Sequence, residues 1–148
     1  MYAVAKSTKF IHELKPGDEC APLNYSVSPE LNQQFLFAQE DFDKRYIEEI
    51  DGRPPLVHPT ILLQMAADTR SPSYKLAPGT GSILAKAKEE FLHPVTIGTP
   101  LTVNWRVTDT YEKRGRHYHV IVAETTNNQG TLVLRRTLHL TFNRRQRS

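Results

Sequence analysis

The chain has 148 residues, of which 39% are apolar, 9% aromatic and 24% charged. That is the length of one domain with enough apolar content for a core, and it excludes intrinsic disorder, which requires low hydrophobicity and high net charge. Lys and Arg number 19 against 16 Asp and Glu, and Arg144, Arg145 and Arg147 carry the whole surplus, so a basic nucleic-acid-binding face is not expected.

Cys20 is the one cysteine, which excludes an internal disulfide and a multi-cysteine zinc site. It reads as a small, partly buried side chain. No apolar run approaches the roughly 18 residues of a membrane span. The stretch from Met1 to Phe10 has no apolar core followed by a cleavage site. A reducing, cytoplasmic location is expected, with no membrane partner and no metal or cofactor implied.

Lys15-Pro16-Gly17-Asp18 signals a turn, and residues 20–27 read as extended. Ser28-Pro29-Glu30 has the form of a helix start: Ser at the N-cap, Pro at the first helical position, Glu in the first turn. Leu31, Phe35 and Ala38 follow at helical spacing, which predicts a helix over residues 29–40. A charged stretch, residues 41–51, ends at Gly52-Arg53-Pro54-Pro55, which cannot continue a helix. His58-Pro59-Thr60 opens a second apolar segment through Ile61, Leu62, Leu63, Met65, Ala66 and Ala67, stopped by Ser71-Pro72-Ser73. Being apolar nearly all round, it suits a helix wrapped by other structure.

From about residue 83 the period changes to two. Ile83, Ala85 and Ala87 alternate with Leu84, Lys86 and Lys88; Leu101, Val103, Trp105 and Val107 alternate with polar residues. Tyr118, Val120 and Val122 alternate with His119, Ile121 and Ala123. Leu132, Leu134, Arg136, Leu138, Leu140 and Phe142 form the last such set. These are long antiparallel strands, with Asn127-Asn128-Gln129-Gly130 as the last turn. The expected class is α+β: one domain, residues 1–148, with a core over about 15–142 and a basic tail over 143–148. A curved antiparallel sheet of about five strands wraps a central helix. Such a sheet has two edges to protect, so a dimer through an edge strand is expected.

Three phrases go further. Phe91-Leu92-His93-Pro94-Val95-Thr96-Ile97-Gly98-Thr99-Pro100-Leu101-Thr102-Val103 resembles the F-x-x-P-V-x-x-G-D-x-L-x-V stretch of MaoC-like hydratases and dehydratases, the family of R-specific enoyl-CoA hydratases. Lys15-Pro16-Gly17-Asp18 resembles their opening x-x-G-D turn. Pro54-Pro55-Leu56-Val57-His58-Pro59-Thr60-Ile61-Leu62 resembles their P-I-A-H-G-M-L run into the central helix, and its His-Pro-Thr variant is similar to the non-catalytic halves of double-hot-dog dehydratases. In order and spacing the phrases cover most of residues 15–142. The resemblance implies the hot-dog fold, a coenzyme A or carrier-protein thioester as substrate, and reversible syn addition of water across an enoyl thioester.

The family's catalytic motif, D-x-N-P-x-H, is degenerate here. Asp41-Phe42-Asp43-Lys44-Arg45-Tyr46 stands at its place, with Asp41 on the catalytic Asp and Tyr46 where the His belongs. An imidazole titrates near pH 6.5 and a phenol near 10, so Tyr46 can donate a hydrogen bond but is a poor base near neutrality. Two readings stand for each residue. Asp41 and Asp43 form a solvated acidic loop, or Asp41 is catalytic. Tyr46 packs, or contacts substrate. His58 bonds nearby backbone, or projects into the pocket and replaces the missing imidazole. Where the family places a Gly amide, Pro59 has none, and Thr60 carries the next amide, a candidate for binding the thioester oxygen at the helix start.

Ala77-Pro78-Gly79-Thr80-Gly81-Ser82 precedes a strand and lacks a following Lys, so it is no nucleotide P-loop. Gly79 and Gly81 serve a turn or contact a pantetheine arm. The arginine tail solubilises, or meets coenzyme A phosphates. His117 and His119 share a strand face but lack a visible third metal ligand. The resemblance thus implies a hydratase or dehydratase using Asp41 with Tyr46 or His58. The alternatives are a non-catalytic acyl-binding subunit paired with a catalytic one, a hot-dog thioesterase using Asp68, and related chemistry on another carbonyl substrate.

Overall fold

The computed structural model describes residues 9–144. Ser28 caps α1 (Pro29–Gln39) by accepting the Leu31 amide at 3.1 Å, and the helix stops where Glu40 turns left-handed at φ 52°. Leu31 and Phe35 pack against the core partly buried, Ala38 is exposed, and the fully buried positions of α1 are Asn32 and Leu36. Asn32 is buried because its side chain makes three hydrogen bonds that an apolar residue could not replace.

The second helix, α2 (Pro59–Met65), opens with His58 as N-cap and Pro59 in the first turn. It is shorter than the apolar run. Beyond the Ala66 cap the chain makes a 3-10 turn, Asp68–Arg70. Ile61, Leu62 and Ala66 are buried in the same core as Trp105, Leu134 and Leu138. Burying one side chain of Ile61's size is worth about 2 kcal/mol.

The five strands are β1 (Leu23–Tyr25), β2 (Thr80–Phe91), β3 (Leu101–Lys113), β4 (Arg116–Asn127) and β5 (Leu132–Arg144). They form one antiparallel sheet in the order β1-β3-β4-β5-β2. The inner face is Leu101, Val103, Trp105 and Val107 of β3, His119, Ile121, Ala123 and Thr125 of β4, and Leu134, Leu138 and Leu140 of β5. Register puts Trp105, Ala123, Arg136 and Glu89 in one row across β3, β4, β5 and β2. That row ends α2: Trp105 Nε1 donates to Ala66 O at 3.0 Å and Arg136 Nη1 to Leu63 O at 2.9 Å. The last carbonyls of a helix have no partner within it, so the sheet supplies the donors and fixes the helix in its concavity.

Two boundaries differ from expectation. The core starts earlier, with Ile11 and Leu14 buried. The last strand absorbs Asn143 and Arg144, while Arg145 and Arg147 lie outside the described residues. Of the sheet edges, β1 is three residues long, whereas β2 runs twelve and leaves Ile83, Leu84 and Phe91 exposed. Among the described residues no helix is long and apolar enough to cross a membrane.

Candidate active site

The site is assembled where α1 ends, the 41–46 loop turns and α2 begins. Asp43 caps the 3-10 turn Lys44–Tyr46 by accepting the Arg45 amide, and the Arg45 guanidinium closes on the same carboxylate. Those contacts hold the Asp43 carboxyl below its usual range. Asp43 is thus occupied with loop structure. Asp41, two residues earlier, accepts the Asp43 amide on Oδ1 at 3.2 Å and keeps Oδ2 for another partner.

That partner is His58. Its Nε2 lies 3.0 Å from Asp41 Oδ2, and its side chain is only 9% exposed against 38% for Asp41. The other ring nitrogen, Nδ1, faces the Thr60 amide at 3.3 Å and the Thr60 hydroxyl at 2.6 Å. An amide can only donate, so Nδ1 is the acceptor and Nε2 carries the hydrogen given to Asp41. The Tyr46 ring packs on the imidazole, centroids 4.9 Å apart and tilted by 51°. Asp41, Tyr46, His58 and Thr60 are therefore brought together.

Asn32 holds these pieces in place. From the buried face of α1 its amide donates to Tyr46 O at 3.1 Å and Leu56 O at 3.0 Å, and its Oδ1 accepts the His58 amide at 2.9 Å. One side chain thereby fixes the end of the Tyr46 turn, the strand-like approach to α2 and the backbone of His58. Gln39, two turns further along α1, donates to the Thr60 hydroxyl at 2.6 Å. Neither residue was singled out in the sequence. The usable signal was their spacing of seven, which puts both on one helix face.

A groove of about 450 Å³ runs away from Tyr46 and Pro59, walled by Leu62, Phe91, Leu92 and Val95. It is mostly apolar, and it meets the Asp41–His58 pair through Tyr46, which lines the groove and packs on the imidazole, while Asp41 and His58 are not among its walls. A larger cavity of about 760 Å³, lined by His12, Lys15, Thr80, His119 and Phe142, lies at the other end of the long strands. Gly79 and Gly81 belong to that end. Thr80 between them pairs with Arg144, while Phe91, ten residues beyond Gly81, borders the groove. At about 3.3 Å per residue the two ends of β2 are roughly 30 Å apart along the strand. The structure does not bring the two glycines to the cluster; Gly79, at φ 74°, serves the turn before β2.

The Thr60 amide, read from the sequence as a donor for substrate, faces His58 instead. The His58 amide is taken by Asn32 and the Ile61 amide by His58 O, and Pro59 has none. Asp68 is buried in the turn after α2, with Oδ2 lacking a hydrogen-bond partner, and burial raises its carboxyl above the usual range. It contributes no carboxylate to the groove. His12, His117 and His119 all line the distant cavity, but among the described residues no group of three or more His, Cys, Asp or Glu is arranged to hold a metal ion.

An antiparallel sheet curled around a central helix defines the hot-dog class, and the chain has this fold. Its likeness is to MaoC-like proteins and R-hydratases. It resembles the monoamine oxidase regulatory protein of Archaeoglobus at 19% identity, with a TM-score of 0.73 over 94% of this chain and 96% of that one. The MaoC-like dehydratase of Rhodospirillum rubrum matches at 18% identity and a TM-score of 0.69, over 94% and 99% of the two chains. The (R)-hydratase of A. caviae involved in PHA biosynthesis matches at 17% identity and a TM-score of 0.66, over 86% and 96%. No protein-family model and no curated protein matches the chain. The likeness is one of fold.

Proposed function

We propose that the chain is a hydratase or dehydratase of an enoyl or 3-hydroxyacyl thioester, with Asp41 and His58 as its acid–base pair. The observation that carries this is the 3.0 Å contact between His58 Nε2 and Asp41 Oδ2, packed against the Tyr46 ring that lines an apolar groove. In the hydration direction Asp41 takes a proton from a water as its oxygen bonds the β-carbon. A proton is then delivered to the α-carbon from the acid partner, His58 Nε2 or the Tyr46 phenol, and that partner is reprotonated by the proton Asp41 has taken, so both groups return to their starting states. His58 replaces the imidazole that Tyr46 displaces from the family motif. The groove walls take the acyl chain. β2 pairs with a second hot-dog chain, the same or a catalytic relative, and the free thiol of Cys20 suits a reducing cytoplasm.

The test is loss of the conjugated enoyl absorbance with crotonyl and longer enoyl-CoA esters. Turnover that falls at least 100-fold in Asp41→Asn and in His58→Gln, as for loss of a general acid or base, supports the reading. No turnover at any chain length removes it.

A second reading, an acyl-binding subunit without catalysis, is favoured by one observation. The backbone donors that open α2 are all engaged or, at Pro59, missing, so no amide there is free to hold a developing oxyanion. Acyl-CoA binding without turnover, together with co-purification of a second hot-dog chain, would select it.

A further inference from the structure

We propose that Gln39 is a positioning residue for the Asp41–His58 pair. It acts through the Thr60 hydroxyl to fix which imidazole nitrogen carries the hydrogen. The inference rests on the reading of that pair as the reactive one, but the geometry behind it is independent of any substrate.

Four groups stand in line. Gln39 Nε2 lies 2.6 Å from Thr60 Oγ1, Thr60 Oγ1 lies 2.6 Å from His58 Nδ1, and His58 Nε2 lies 3.0 Å from Asp41 Oδ2. A hydroxyl has a single hydrogen to give. When the Gln39 amide donates to Thr60, that hydrogen is directed to His58 Nδ1, where the Thr60 backbone amide also points. With two donors on Nδ1, the ring hydrogen sits on Nε2 and faces the carboxylate. The opposite tautomer sets N–H against N–H at Thr60 and a lone pair against the carboxylate at Asp41. Gln39 thus biases a proton position two groups away without touching the reacting atoms.

The chemistry also supplies an inversion. A carboxylate in place of the amide can only accept. Glu at position 39 draws the Thr60 hydrogen to itself and leaves Oγ1 as an acceptor toward Nδ1, which favours the hydrogen on that nitrogen. Gln39 is exposed at the end of α1, so the change does not disturb the core.

The experiment is long-range 1H–15N correlation of the His58 ring in the full chain, for the parent, Gln39→Glu, Gln39→Ala and Thr60→Ser. The parent and Thr60→Ser are expected to show the Nε2–H pattern. Gln39→Glu is expected to show a second population with hydrogen on Nδ1, and Gln39→Ala a smaller one. If the enoyl assay reports turnover, Gln39→Glu lowers kcat by about five- to tenfold, the factor one hydrogen bond moves an equilibrium, with KM little changed. An unchanged Nε2–H pattern in Gln39→Glu overturns the proposal, whatever the enzyme does. A shifted pattern in a chain with no turnover upholds the relay and removes the hydratase reading instead.

Discussion

Asn32 shows how much of a site can rest on a residue that does no chemistry. It is 1% exposed, and its three bonds each serve a different stretch of backbone. Replacing it by Ala strands two carbonyls and an amide. Unpaired buried polar groups cost about 1–3 kcal/mol each, with partial relief from water. A loss of about 3 kcal/mol is therefore expected for Asn32→Ala, read as a lower urea midpoint at unchanged slope. Asp68 gives a prediction of the opposite sign. Burial raises its folded-state value above the usual 3.8, so the folded chain holds this proton more tightly than the unfolded one. The site's contribution is complete below pH 3.8 and falls as pH rises through the folded value. Asp68→Asn is expected to raise the melting temperature at pH 7 and to make no difference below pH 3.8; thermal melts across that range decide it. Neither role is written in the sequence. A polar residue within a helical pattern reads as solvent-facing, and its burial depends on carbonyls 14 and 24 residues away. The family resemblance offers His58 or Tyr46 as partner of Asp41, but the irregular connection from Asp41 to His58, 17 residues along the chain, carries no periodicity that could choose between them.

Elements were far more legible than the contacts between them. Ser28-Pro29-Glu30 marks a helix start through chemistry confined to one turn, and the long alternating runs mark strands for the same local reason. The end of α2 was not legible, since it is decided from outside. Arg136 sits at an inward position between Leu134 and Leu138, its side chain 12% exposed, held by Glu89 at 2.7 Å while it caps Leu63 O. In sequence it is a charge interrupting an apolar set. In the fold it is a cation at a helix C-terminus, where a positive charge is favoured. Arg136→Met keeps the stem but removes the donors. It is expected to cost about 2 kcal/mol, seen in denaturant unfolding, with Glu89→Gln costing less because the bond to Leu63 O survives.

For the whole molecule the open question is the β2 edge. Twelve residues with Ile83, Leu84 and Phe91 exposed form a long edge, charged at Lys86 and Lys88 and bulged between Leu84 and Lys86 but left open by the other described strands, of a kind that proteins cover or pair. A dimer joined there is the expected state, by sedimentation equilibrium. Leu84→Lys is expected to shift it toward monomer, by a tenfold or larger rise in dissociation constant if about 1.4 kcal/mol is lost. A monomer at high concentration would refute that assembly. The same strand also has an unusual place in the order of events. β3, β4 and β5 follow one another through short turns, whereas β2 must reach across the whole meander to lie against β5, Thr80 beside Arg144. Contacts distant along the chain form slowly, because the intervening loop must close first. β2 is thus expected to dock after the β3–β4–β5 meander has formed, as β1 does across the still longer separation of Leu23 and Val103, so substitutions along it should accelerate unfolding and leave the refolding rate nearly untouched.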